Sequence, residues 1–165
     1  MALSRILVAA ALAAALAVPA TAGAAQRAKA PSPLSVAAAV ARSHWGAVPC
    51  SGQIKVLANR PPAAGVDPTS DAWVTFGTPL GANNLAAPAS SYTGCTIAFA
   101  HRRWPTPASM RQDWGMLCST MIHEMGHLLG QSHDSTPGSI MAPVFTDRSS
   151  VPSTCRAARP ARHNS

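Results

Sequence analysis

The chain has 165 residues, of which 47% are hydrophobic and 12% charged, and its formal net charge is +7. This length allows one compact domain with its own core. A basic balance can indicate a nucleic-acid partner, but here the arginines are scattered and no nucleic-acid motif accompanies them. We therefore expect no specific nucleic-acid binding and interpret the charge as general surface character, with attraction to a cell wall or membrane left open.

The N-terminal segment predicts export. Arg5 precedes an apolar run at residues 6–18, and Pro19 and the small residues at 20–22 follow it. This order is typical of a secretory signal peptide, whereas the alternative, a membrane anchor, needs about 20 apolar residues. We predict a signal peptide at 1–22, a flexible leader at 23–33, a secreted protein, and no membrane span in the mature chain.

The predicted domain covers residues 34–155, with a basic tail at 156–165. A helix is predicted at 34–45, because apolar residues recur before Gly46, and glycine commonly ends a helix. Alternating or β-branched stretches predict three strands, at residues 53–58, 72–77 and 95–100. A proline-containing connection then enters the helix that carries His123 and His127, and a brief helix is predicted near 151–158.

Four cysteines in an exported chain predict two disulfides. Metal ligation is the alternative, but no pair has C-x-x-C spacing. Three connectivities are open to Cys50, Cys95, Cys118 and Cys155. The pairing we prefer is Cys50 with Cys95 and Cys118 with Cys155.

The segment "HEMGHLLGQSHD" concentrates three histidines and a glutamate. His123 and His127 are four residues apart, so they lie about 40° apart on one helix face and can reach a single zinc ion. Catalytic zinc keeps three protein ligands and one open position. Gly130 can end the helix in a sharp turn, which allows His133 to swing back as the third ligand.

Glu124 is the only glutamate in the chain. It points about 100° away from His123, which suits a general base beside a water better than a third metal ligand. The alternative for this segment is that its histidines are solvated or are satisfied core residues. The full pattern with Gly130, His133 and the later Met141 argues against this alternative. The opposite helix face supports the metal site, since it carries an apolar stripe that predicts burial there: Leu117, Met121, Met125 and Leu128.

The pattern H-E-x-x-H-x-x-G-x-x-H, followed by Met141 in "SIM", resembles the metzincin zinc peptidases, most closely the matrixin branch. The resemblance implies an α+β zincin fold: a twisted, mostly parallel sheet, an N-terminal helix, an active-site helix and a short C-terminal subdomain. It also implies that Met141 underlies the zinc ligands and that residues 143–145 wall a substrate pocket. By the same resemblance, Cys95–Ala100 would be the edge strand along which a peptide substrate pairs.

The chain departs from the matrixin pattern in several places. No cysteine precedes Cys50, so we do not expect latency through a propeptide cysteine. The spare histidines, His44, His101 and His163, do not suggest a second zinc, and structural calcium has little support. Ala142 stands where some metzincins have a tyrosine after the methionine.

These observations predict a secreted zinc endopeptidase with one catalytic Zn²⁺ and a protein or peptide substrate. Two alternatives stay open at this point. One is a secreted zinc-binding module without turnover, against which the presence of Glu124 argues. The other is a zinc hydrolase of cell-wall peptide or amide substrates.

Overall fold

The computed structural model describes residues 30–143 and 151–160. The predicted α+β fold class is confirmed: a small mixed sheet packs against helices. The predicted signal peptide, the leader up to residue 29 and the last five residues of the basic tail lie outside the described residues. The elements are α1 (Pro33–Trp45), β1 (Lys55–Arg60), β2 (Ala72–Gly77), β3 (Thr93–Ala100), α2 (Pro107–Gln112), α3 (Trp114–Leu128) and α4 (Ser153–Ala157).

Helix α1 has clear local start and stop signals. The Ser32 hydroxyl accepts a hydrogen bond from the backbone N–H of Ser35 at 3.1 Å, and Pro33 occupies the first helical position, where no N–H is needed. Gly46 ends the helix with φ of +60°, a left-handed conformation that glycine adopts without strain. The face that α1 turns to the core is lined by small residues, which lets α1 lie close against α3.

The sheet corrects two predictions, the place of Cys95–Ala100 and the direction of the strands. Its order is β1-β3-β2, with β1 parallel and β2 antiparallel to β3, so Cys95–Ala100 lies in the central strand and is not an edge. Strand β3 is buried along its second half, as expected of a strand with neighbours on both sides. The edge nearest α3 belongs to β2, and the sheet is mixed rather than mostly parallel.

The core lies between the sheet and the helices. Side chains of β3 alternate: Cys95, Ile97 and Phe99 join the large cluster with α1 and α3, while Ala98 and Ala100 pack on the other face beside Trp73. The predicted apolar stripe of α3 is fully buried. At about 25 cal/mol per Å² of apolar surface, this burial is the main force that fixes α3 against α1.

Both disulfides have the preferred pairing, Cys50–Cys95 and Cys118–Cys155. The first ties the segment before β1 to the central strand. The second ties α4 to the middle of α3, and the Trp114 indole N–H donates to the Cys155 carbonyl at 2.6 Å beside it. Helix α4 therefore belongs to the folded domain and includes the start of the predicted basic tail.

The proline-containing connection after β3 includes a short helix, α2, which was not predicted from the sequence. Helix α2 begins with a capping box, in which Thr106 and Ser109 exchange side-chain-to-backbone hydrogen bonds. Within the described residues no helix is long and apolar enough to cross a bilayer.

Candidate metal centre

Helix α3 carries His123, Glu124 and His127 in its last two turns. His123 and Glu124 are each 6% exposed, and His127 is half-buried. Because the apolar stripe on the far side of the helix is locked into the core, the two histidines have a fixed direction. They face a cleft of about 730 Å³.

Helix α3 ends at Leu128, just before Gly130, as predicted from the sequence. Gly130 has φ of +84°, and its N–H donates to the His127 carbonyl at 3.0 Å, while the N–H of Gln131 donates to the Gly126 carbonyl at 2.9 Å. This pair of bonds is a Schellman motif, which satisfies the last carbonyls of a helix and reverses the chain. The reversal brings His133 back to the helix.

A hydrogen-bonded loop holds His133 in place. The Asp134 N–H donates to the Met141 carbonyl at 3.0 Å, and the Asp134 carboxylate accepts from the Thr136 N–H and hydroxyl at 2.9 and 2.7 Å. These bonds hold the pKa of Asp134 below its usual value, with the Thr136 hydroxyl as the largest cause. His133 itself is exposed.

The three histidines converge. One ligand nitrogen from each lies within 4.8 Å of the other two, and the Nε2 atoms of His123 and His127 are 3.1 Å apart. Two nitrogens bound to one tetrahedral zinc at about 2.0–2.1 Å lie about 3.3 Å apart. The helical pair is thus close to the required spacing, and a modest inward movement of the exposed His133 completes the set.

The other ring nitrogens of the helical pair determine their tautomers. Nδ1–H of His123 donates to the Ile140 carbonyl at 2.9 Å, and Nδ1–H of His127 donates to the Gln131 carbonyl at 2.8 Å. A carbonyl can only accept, so in each neutral ring Nε2 carries no proton and can act as a ligand. Carbonyl partners of this kind orient metal-binding histidines and raise their basicity.

Burial keeps these rings neutral. It lowers the pKa of His123 to about 4, with smaller contributions from the neighbouring histidines and an opposing one from the Ile140 hydrogen bond. Burial also lowers the pKa of His127. Two unprotonated nitrogens that face each other at 3.1 Å repel unless a cation lies between them. The donor set therefore fits zinc, which prefers neutral imidazoles in this number.

Glu124 lies beside the histidines and faces the same cleft. Burial raises the pKa of its carboxyl to about 8. A raised pKa makes the carboxylate a stronger proton acceptor than an ordinary glutamate.

Met141 is 5% exposed and packs against α3 at Gly126. A Cβ atom on Gly126 would lie 2.5 Å from the Met141 sulfur and 2.8 Å from Cζ2 of Trp45. Only glycine fits between these side chains. Neither Gly126 nor Trp45 was indicated by the motif, although a glycine inside a helix, which costs about 1 kcal/mol relative to alanine, is a signal of close packing.

The cleft lies between α3 and the edge strand β2. Trp73, Val74 and Phe76 of β2 line it opposite the histidines, and Ala142 and Pro143 close one side. The rest of the predicted wall, residues 144–145, lies outside the described residues.

Ion pairs join the two sides of this cleft. Arg103 contacts Asp71, just before β2, at 3.3 Å and Asp113, just before α3, at 2.9 Å. These contacts are partly exposed and contribute little energy.

The sequence model of the matrixin family matches residues 70–154, just over half of the chain. The matched segment begins at β2 and includes all three histidines, Glu124 and Met141. No curated protein and no solved structure gives a significant match.

Proposed function

The chain belongs to the matrixin family of zinc metallopeptidases, and from this premise we propose that it is a secreted endopeptidase with Glu124 as its general base. The observation that carries the proposal is the convergence of His123, His127 and His133 on one point, with the only glutamate of the chain beside them. A module that only binds zinc has no need of a buried carboxyl at that position.

Zinc held by the three histidines would supply a Lewis acid that polarises the scissile carbonyl and acidifies a water. The protein residues carry the rest of the chemistry. Glu124 accepts a proton from the attacking water and donates it to the leaving amine nitrogen, the usual double role of such a base. Its burial favours the first of these steps, because the raised pKa makes the carboxylate a better proton acceptor.

The substrate peptide is proposed to pair with β2 rather than with β3. In the described residues β2 has a hydrogen-bonded neighbour on one side, namely β3. Its residues line the cleft that contains the histidines. An extended peptide added to this edge would place its backbone across the histidines, and strand addition is a common way to hold a peptide.

The Met141 side chain is proposed to support the ligands from below. It is 5% exposed and packs against the helical turn between His123 and His127. Its apolar contact fills the space under the rings and excludes water there, so the imidazoles keep their orientation.

The test is cleavage of a mixture of unfolded proteins by the purified chain, before and after removal of zinc by a chelator. We expect cleavage to stop with the chelator and to return when one equivalent of zinc is added. Internal cuts support an endopeptidase. A chain that binds zinc stoichiometrically and cuts no protein contradicts the proposal. If the chain cuts cell-wall peptides and no protein, the same catalytic residues act on that substrate class instead, and the endopeptidase proposal is wrong.

Export is tested separately by N-terminal sequencing of the protein recovered from a culture medium. A start at or within a few residues of Gly23 is expected from the signal-peptide pattern. Both disulfides agree with an oxidising compartment. Recovery of an uncleaved chain from the cytoplasm would contradict export.

A further inference from the structure

Trp45, the last residue of α1, contacts the helical turn that carries the candidate ligands. Its indole N–H donates to the Ile122 carbonyl at 2.9 Å, across 77 positions of sequence. Its ring edge lies so close to Gly126 that a Cβ there would be 2.8 Å from Cζ2. One side chain thus contacts both ends of the turn 122–126, which includes His123.

We propose that Trp45 is a positioning residue of the zinc site, which holds the turn 122–126 in the orientation that directs His123 and His127 toward one ion. The inference rests on the proposed function, because it concerns the same three histidines. It adds a residue from α1, which precedes the matched segment 70–154.

The hydrogen bond acts on a carbonyl that the helix already uses. In a regular α-helix the Ile122 carbonyl accepts from the Gly126 N–H. A carbonyl oxygen has two lone pairs, so the indole adds a second bond and fixes the direction of this peptide unit. The next residue is His123. Any rotation of the Ile122 peptide therefore changes the direction of the first ligand.

The ring contact acts through Met141. Gly126 meets Trp45 and the Met141 sulfur at the same point of the helix surface. Met141 follows Ile140, whose carbonyl accepts from Nδ1–H of His123 at 2.9 Å. Without the indole, Met141 would gain room beside Gly126, and the Ile140 carbonyl could shift away from the imidazole that it orients. Both effects of Trp45 therefore converge on His123.

The protein contains a matched control. Trp114 is a buried indole whose N–H, like that of the half-buried Trp45, donates to a backbone carbonyl, that of Cys155, at 2.6 Å. It is the first residue of α3, and its bond to α4 lies away from the histidines. A general loss of packing should affect Trp45→Phe and Trp114→Phe alike, whereas a positioning role belongs to Trp45.

The experiment measures the zinc dissociation constant by chelator competition for the whole chain and for Trp45→Phe and Trp114→Phe, with folding checked by far-UV circular dichroism. The visible absorption spectrum of Co²⁺ in the site reports ligand geometry independently of activity. We expect Trp45→Phe to weaken zinc binding about tenfold, the lower end of losses for outer-shell partners, and to change the Co²⁺ spectrum. Trp114→Phe should leave both unchanged.

A second variant, Gly126→Ala, displaces the same contact from the helix side and keeps the indole. It should weaken zinc binding similarly, but it also displaces the Met141 sulfur, so Met141→Leu is measured beside it. If Trp45→Phe does not fold, a loss of zinc affinity in Gly126→Ala that Met141→Leu does not reproduce is assigned to Trp45, and an equal loss in both variants overturns the inference. Unchanged zinc affinity and an unchanged Co²⁺ spectrum in the folded variants overturn the inference, as does equal weakening by Trp114→Phe. Absence of zinc binding by the unaltered chain would instead overturn the proposed function together with this inference.

Discussion

Two of the three candidate ligands lie on a buried helix, and the third lies on an exposed loop. His123 and His127 derive their position from α3, whose far side is fully buried and whose middle is tied to α4 by Cys118–Cys155. Their Nδ1–H groups donate hydrogen bonds to backbone carbonyls. This half of the site is supported by the whole core.

The loop half is supported locally. His133 is exposed, and its position depends on the turn at Gly130 and on the hydrogen bonds of Asp134 to Thr136 and to the Met141 backbone. Few buried contacts hold such a segment, so it opens at a lower free energy than the core does. We infer that the core positions two ligands before metal binds, whereas the third is held by a local loop that can adjust to the ion.

Removal of one ligand from each half has the largest expected effect. His123→Ala and His133→Ala should each weaken zinc binding by on the order of a hundredfold or more, because each removes a direct bond to the ion. Their metal-free forms should differ. His123→Ala should lower the free energy of unfolding by about 1–3 kcal/mol, since it leaves a buried gap and an unpaired Ile140 carbonyl. His133→Ala should change it by less than about 0.5 kcal/mol.

Chelator competition measures the first quantity and urea denaturation the second. Equal destabilisation of the metal-free forms would contradict the distinction between a preset helix and an adjustable loop.

The next largest effect concerns the helical half of the site, where the pH dependence of stability of the metal-free protein tests the burial of Glu124. Burial raises the pKa of Glu124 from 4.5 to about 8, so between these values the unfolded chain has released a proton that the folded chain still holds. The contribution of Glu124 to stability therefore falls as pH rises through this range, by up to about 1.4 kcal/mol for each pH unit. Glu124→Gln removes this loss. Thermal unfolding with chelator present should show a stability advantage of the variant that grows from about pH 5 to about pH 8. A constant difference would contradict deep burial of this carboxyl.

The two glycines offer a smaller contrast. Gly126→Ala should cost about 1–3 kcal/mol from overpacking against Met141 and Trp45, partly offset by about 1 kcal/mol of better helix propensity. Gly130→Ala should cost about 1–2 kcal/mol, because alanine is strained at a φ of +84°. Gly126→Ala should disturb both helical ligands, whereas Gly130→Ala should act on His133 alone, so we expect the larger change in the Co²⁺ spectrum for Gly126→Ala. A larger spectral change for Gly130→Ala would assign the ligand geometry to the turn.

The smallest effect is expected at Asp134. Its pKa is held below the usual 3.8 by Thr136, so its contribution is present above that value and is lost as pH falls through the lower, folded value. Asp134→Ala should weaken zinc binding only about three- to tenfold at neutral pH, through a looser loop. Thr136→Ala removes the hydroxyl that donates to the Asp134 carboxylate. As a second test of the same loop, it should weaken zinc binding in the same direction. No effect from either change would show that the loop needs no such bonds.

Local sequence signals predicted a large part of the site. The residue spacing in "HEMGHLLGQSHD" is set by helix geometry, and Gly130 is a strong local signal, so the convergence of the three histidines could be expected from the sequence alone. Strand β2 has the predicted bounds, since its alternation is bracketed by turn residues. The disulfide pairing could be stated only as a preference, because the sequence gives no distances between cysteines.

The features that could not be predicted from the sequence depend mainly on packing between segments that are distant in the chain. Strand order follows from which faces are covered in three dimensions, so the central place of β3 was not visible in "CTIAFA". Trp45 belongs to no motif, and its hydrogen bond spans 77 positions. Helix α2 had a readable signal in the Thr106–Ser109 capping box, but the surrounding prolines obscured it.

The most direct test of the account is the rate of peptide cleavage by Glu124→Gln against the unaltered chain, with both at equal zinc occupancy. The substitution keeps size and burial and removes the proton acceptor. The account predicts that the variant binds the same amount of zinc and cleaves the peptide about 10²- to 10⁴-fold more slowly. Cleavage at the unaltered rate by the zinc-loaded variant would contradict the role of Glu124 as general base.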